Sequence, residues 1–159
     1  MKPDTMASSS MQPGITSRKR WMSVLAYAGS ARLAEALARL APPPSFEHVR
    51  PPEVGMVMVR GRADGNGGRF NLGEMTMTRC TVALPDGFIG HGYVTGRDKA
   101  HAELAAVFDA LLQDPGRNPG LMDSVIIPLE REQLAARRAQ NEKTAATRVN
   151  FFTMVRGED

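Results

Sequence analysis

Gly73-Glu74-Met75-Thr76-Met77-Thr78-Arg79-Cys80-Thr81-Val82-Ala83-Leu84, then Pro85-Asp86-Gly87, then Phe88-Ile89-Gly90-His91-Gly92-Tyr93-Val94-Thr95 is the stretch whose reading decides the fold. Two β-rich runs are joined by a turn in which proline presets φ and glycine tolerates a positive φ, so the stretch predicts a hairpin. The chain continues through Gly96-Arg97-Asp98-Lys99-Ala100-His101-Ala102-Glu103 into its best-defined helix. There Leu104, Val107, Phe108, Leu111 and Leu112 recur at helical spacing, an apolar stripe able to cover one face of the hairpin. Asp98 stands where an N-cap belongs, and Pro115-Gly116 closes the far end. Hairpin and helix are the predicted core.

Towards the N-terminus, Trp21, Val24, Leu25 and Ala28 share a helical face, and Gly29-Ser30 interrupts it. Leu33, Leu37 and Leu40 continue in a second helix, which Pro42-Pro43-Pro44 ends because proline cannot donate the next backbone bond. The two predict a helical hairpin. Residues 1–17 are small and polar without periodicity, the signature of a disordered leader or a misassigned start site. Phe46–Arg50 and Val54–Arg62 predict two strands. The second is so apolar, with Val54, Met56, Val57, Met58 and Val59, that burial on both faces is expected. Asp64-Gly65-Asn66-Gly67-Gly68 then connects. A glycine-rich loop holds phosphate where a helix N-terminus follows it, but here Arg69-Phe70-Asn71-Leu72 follows.

Towards the C-terminus, residues 114–122 are a Pro/Gly loop and Ser124–Ile127 a short apolar run. Pro128 opens a helix with Glu130 and Glu132 early and Arg137 and Arg138 late, the order that complements a helix dipole. Its apolar content, mainly Leu129, Leu134 and alanines, is too thin for a docking stripe. The end of the chain, Arg148-Val149-Asn150-Phe151-Phe152-Thr153-Met154-Val155-Arg156-Gly157, places five large apolar residues within seven positions. Their burial is worth roughly 1.5–3 kcal/mol each. Ordering the segment costs roughly 1–2 kcal/mol per residue, which consumes that gain. Such an arm stays in place only by pairing its backbone or lying in a partner's groove. The organisation expected is a leader over 1–17, an α+β core over 18–128, and a C-terminal helix with a partner-docking arm over 129–159. The fold class is α+β: a helical hairpin, a mostly antiparallel sheet of about four strands packed by one amphipathic helix, and a C-terminal helix with an extended arm.

The 159 residues suffice for one domain. A net charge of +3 comes from sixteen arginines and four lysines against 17 carboxylates. Arginine suits anionic partners, but a GC-rich genome also favours it, and no block of like charge is long enough to serve as a nucleic-acid tail. A basic nucleic-acid module would also show an aromatic stacking surface or an arginine-rich helix, and neither is present. One cysteine excludes an internal disulfide. No secretory core or membrane span is evident, so a cytoplasmic location is expected.

Cys80 with His48, His91 and His101 matches no metal-ligand spacing, and Cys80 reads as a buried small hydrophobe in a strand. Gly90-x-Gly92-x-x-x-Gly96 superficially resembles a dinucleotide fingerprint, but Tyr93-Val94-Thr95 is strand material and the context is a hairpin. Arg97, Lys99 and His101 are the more pointed set: two cations and an imidazole at a helix start suit a phosphate or triphosphate, unless Asp98 already neutralises that field. No nucleophile-base set, carboxylate pair or Walker loop stands out, so a self-sufficient active site is not expected, and neither catalytic residues nor a metal are assigned.

Trp21-Met22-Ser23-Val24-Leu25-Ala26, the run Gly96–Glu103 and the ending Arg148–Gly157 together resemble the PhnG family, subunits of the bacterial carbon-phosphorus lyase core complex. The likeness covers residues 18–158 and departs in the leader and at Asn150, where aspartate is expected. It implies a subunit of a multi-subunit transferase, alpha-D-ribose 1-methylphosphonate 5-triphosphate synthase, acting with PhnH, PhnI and PhnL. In that reaction methylphosphonate displaces adenine from C1′ of MgATP. The resemblance further implies that the nucleosidase chemistry belongs to PhnI. Carbon-phosphorus bond cleavage would fall to PhnJ, with its iron-sulfur cluster and S-adenosylmethionine, and this chain would bind no cofactor of its own. Its role is then mainly structural, with Trp21, Val149, Phe151, Phe152, Met154 and Val155 at a partner interface. The alternative within the same complex is that Arg97, Lys99 and His101 bind the triphosphate of ATP.

Overall fold

The computed structural model of the chain describes residues 14–62 and 67–147. Its centre is helix α3 (Lys99–Leu112), in which ten residues are buried, among them His101 and Asp109. A helix that buried packs on more than one side. Helices α1 (Ile15–Tyr27) and α2 (Ser30–Ala38) cover one side, and a sheet of β1 (Glu47–Arg62), β2 (Arg69–Ala83) and β3 (Ile89–Thr95) covers the other. The predicted helical hairpin is present, with α1 beginning at Ile15, inside the stretch read as leader. Gly29 allows the sharp turn into α2 through a φ of 76°.

The predicted hairpin is β2–β3, paired antiparallel from Met77↔Thr95 to Ala83↔Ile89 and closed at Pro85-Asp86-Gly87 by Gly87 N–H donating to the Leu84 carbonyl at 2.9 Å. What brings it close to α3 is a ridge of small residues rather than the large apolar stripe. A Cβ at Gly90 would stand 2.0 Å from the Ala106 carbonyl oxygen, and one at Gly92 only 1.9 Å from that of Ala102. Two of the three glycines that mimic a nucleotide fingerprint, Gly90 and Gly92, are there so that a strand can lie against a helix backbone.

Two expectations about the sheet are corrected. It has three strands in the order β1-β2-β3, not about four, because Phe46–Arg50 and Val54–Arg62 belong to one strand. Pro51 and Pro52 do not break β1: it is an edge strand, and register shifts between His48 and Arg50 and between Arg50 and Glu53 absorb them. The second correction concerns burial. Val54 is 41% exposed, Met56 69% and Met58 50%, so the run is not covered on both faces. The cause is topological: β3 ends opposite Met77, and from Met56↔Thr76 to Arg62↔Arg69 the strands β1 and β2 run on as a two-stranded ribbon.

From Asn118 to Ala146 the chain is helical: α4 (Asn118–Leu121), a π-helical turn over Met122–Ile126, then α5 (Ile127–Ala146). The stretch read as a Pro/Gly loop thus contains α4, and the apolar run Ser124–Ile127 buries Val125 and Ile126 on the core. Pro128 stands in the first turn of α5 as expected. Leu129 is buried, whereas Leu134 is 49% exposed. With so thin a stripe, α5 is held partly by polar contacts. Arg20 grips Glu130 through Nε at 2.9 Å and Nη2 at 2.5 Å, Arg32 pairs with Glu132, and Gln133 Nε2 donates to the Val24 carbonyl at 2.8 Å.

Candidate functional site

The start of α3 is built as its sequence demands. Asp98 Oδ1 accepts the His101 N–H at 2.9 Å, and its Oδ2 accepts the Ser30 hydroxyl at 2.8 Å. These two bonds, the first above all, hold the Asp98 carboxyl below its ordinary pKa. Its contribution to stability is therefore present above the unfolded carboxyl value of about 3.9 and is lost as pH falls through the lower, folded value. Asp98→Ala should cost about 1 kcal/mol at neutral pH. Thermal melts at pH 7 and in strong acid check this: the gap between wild type and variant should narrow in acid.

Arg97, Lys99 and His101 do not converge. Arg97 and Lys99 are exposed, while His101 is only 7% exposed, with its Nε2 donating to the Leu25 carbonyl at 2.8 Å. A carbonyl only accepts, so Nε2 carries the proton, and the imidazole serves to tie the end of α1 to α3. Trp21, expected at a partner interface, lies in this chain's own core at 1% exposure. Val149, Phe151, Phe152, Met154 and Val155 lie outside the described residues.

Trp21 leads to the polar centre that the sequence reading missed. Asp109 is fully buried and accepts four bonds: Arg18 Nε at 3.2 Å, Arg18 Nη2 at 2.8 Å, Trp21 Nε1 at 2.9 Å and the His91 backbone N–H at 2.9 Å. One carboxylate thus locks α1, α3 and β3 together. Its signal was a lone acid between Phe108 and Ala110, in the middle of an apolar helix, where a charge is tolerated only if paired.

Cys80 and the other histidines each have separate partners. Cys80 is 1% exposed, with Sγ 3.4 Å from the Arg50 carbonyl. His48 Nε2 meets Glu103 at 2.7 Å, and His91 Nδ1 meets the Thr81 hydroxyl at 3.1 Å. Among the described residues no group of His, Cys, Asp and Glu is arranged to hold a metal ion. Burial, with a smaller push from Glu103, raises the Cys80 thiol to about 11. Iodoacetamide at pH 8 should therefore leave Cys80 unmodified in the folded protein and alkylate it rapidly in denaturant, as intact-mass spectra would record.

Two surface features remain. A groove of about 720 Å³ lies between the Pro42–Pro44 turn, Leu84 and Leu121, and at its rim Arg117 pairs with Asp86 at 3.2 Å and Asp114 at 3.1 Å. The ribbon carries the larger apolar exposure, with Met56 at 69%, Leu72 at 66%, Met58 at 50% and Phe70 at 46%. No helix among the described residues is long and apolar enough to cross a membrane.

The geometry defines a small α+β domain whose buried polar groups are committed to its own packing and one of whose β arms carries a cluster of exposed apolar side chains. The family model of phosphonate metabolism protein PhnG matches residues 16–157. The chain therefore belongs to the PhnG family. It is 46% identical over 158 residues to the alpha-D-ribose 1-methylphosphonate 5-triphosphate synthase subunit PhnG of Rhizobium meliloti (strain 1021), covering 96% of this chain and 97% of that relative.

Proposed function

We propose that this protein is a subunit of an alpha-D-ribose 1-methylphosphonate 5-triphosphate synthase and that its part in the reaction is mainly structural. The observation that carries the reading is near full-length identity with a subunit of that name, 46% over 158 residues. The arrangement of side chains supports the structural role. His101 is turned inward, Asp109 is occupied by four donors, and Cys80 is buried and protonated. The sister subunits would be PhnH, PhnI and PhnL for transfer of methylphosphonate to C1′ of MgATP with release of adenine, with PhnJ in the larger assembly.

Reconstitution tests this reading. The chain is mixed with PhnH, PhnI and PhnL, methylphosphonate and MgATP, and adenine release is followed. Omitting the chain should abolish synthase turnover, and adding it back should restore it. Adenine and ribosyl phosphonate formed at the same rate without it would contradict the proposal.

A further inference from the structure

We infer that the β1–β2 ribbon is a docking arm for an apolar cleft with an acidic rim on another polypeptide of the synthase. This inference rests on the subunit reading above and adds to it a surface and the chemistry of its partner. Among the described residues, the ribbon beyond the end of β3 has two free edges and no third layer, over the pairs Met56↔Thr76 to Arg62↔Arg69. Exposed strand edges flanked by apolar side chains invite aggregation, and proteins blunt or cover them. Here they carry Met56, Val57, Met58, Phe70 and Leu72, each at least 38% exposed.

The register shift between Val59 and Arg60 gives the arm a shape. Val59 pairs with Gly73 and Arg60 with Asn71, so Leu72 is the extra residue of a bulge, and it is 66% exposed. Bulges re-aim side chains, and this one presents a leucine between the two strands' partners.

Charge selects the occupant. Arg60, Arg62 and Arg69 lie together at the far end of the ribbon, beyond Met56, Val57 and Met58, with Glu74 paired across from Met58 and Asp64 in the loop sequence. Among the described residues none of those three arginines forms an ion pair with a carboxylate; Arg60 reaches Asn71 at 3.4 Å and Arg62 the Gly67 carbonyl at 3.4 Å. A surface that matches them is apolar in the middle and acidic at its edge. A second copy of this ribbon laid parallel or tip to tip against the first would bring arginines together, which disfavours those modes of self-pairing.

The full chain is co-expressed with affinity-tagged PhnI and with PhnH and PhnJ, and its recovery in the complex is compared among three forms. These are wild type, M56S/L72S, and R60E/R62E/R69E, with R60K/R62K/R69K as the charge-preserving control. Circular dichroism and melting of each purified chain verify that the fold is kept. The Ser and Glu variants should be recovered at least about tenfold less than wild type, and the Lys variant close to it. Wild-type recovery of the folded Ser and Glu variants overturns the inference and leaves the subunit reading intact. Failure of wild type itself to join the complex removes both. A dimer of the isolated chain by light scattering that these substitutions dissolve would make a second copy the occupant and overturn it, and so would retention on RNA abolished by the Glu variant.

Discussion

Gly92→Ala is expected to yield no stably folded protein, and Gly90→Ala nearly the same. The new methyl carbon at position 92 would lie 1.9 Å from the Ala102 carbonyl oxygen, 2.9 Å from its carbonyl carbon and 3.0 Å from the Ala106 nitrogen. At position 90 it would meet the Ala106 oxygen at 2.0 Å and the Ala110 nitrogen at 2.5 Å. These neighbours are backbone atoms of a central helix and have no rotamer into which to retreat. Relief requires lifting α3 off the sheet along the ridge that buries Ala102, Ala106 and Ala110. Overpacking costs about 1–3 kcal/mol where side chains can adjust and more where they cannot, against a total stability of about 5–15 kcal/mol. Gly73, in the neighbouring strand β2 with open space around its Cβ position, is the control, and Gly73→Ala should fold normally. Soluble yield and urea midpoints of the three variants decide it.

Asp109→Asn should be the most damaging near-isosteric change in the chain. All four groups aimed at this carboxylate are donors, so an amide both removes the charge that Arg18 neutralises and turns an N–H pair towards N–H groups. Breaking a buried, hydrogen-bonded ion pair costs about 3–5 kcal/mol. In a domain of this size the midpoint of thermal unfolding should fall by on the order of 10 °C or more. Arg18→Ala should cost less, because Trp21 and His91 keep their bonds and Arg18 is itself 32% exposed. Thermal melts of both variants test the order; an Asp109→Asn protein as stable as wild type would contradict the role given to that carboxylate.

The elements whose signals are local were legible in the sequence. Pro85-Asp86-Gly87 announces its turn, Asp98 its cap, and the period of Leu104 to Leu112 its helix, because each is specified by neighbours within a few residues. What escaped depends on distant parts of the chain. Val54–Val59 reads as a doubly buried strand because apolar content reports a need for burial without saying which molecule supplies it. The two prolines at 51 and 52 look like a break unless the strand is known to be an edge. Gly90 and Gly92 have a meaning only once α3 is laid across them. The candidate site divided in the same way: helical spacing puts Arg97, Lys99 and His101 near one helix start, but the fold turns the imidazole inward to Leu25 and leaves the two cations outside. Trp21, expected at a partner interface, is instead buried and bonded to Asp109 of its own chain.

On the proposed reading, a neighbouring polypeptide covers the apolar surface of the β1–β2 ribbon. Hydrogen-deuterium exchange read by mass spectrometry, on the chain alone and after assembly with the proposed sister subunits PhnH, PhnI and PhnJ, tests it most directly. Peptides covering 54–62 and 69–76 should exchange quickly in the isolated chain and become protected in the complex, while α3 is protected in both. Equal protection of those peptides in the isolated chain and in the complex would contradict the claim.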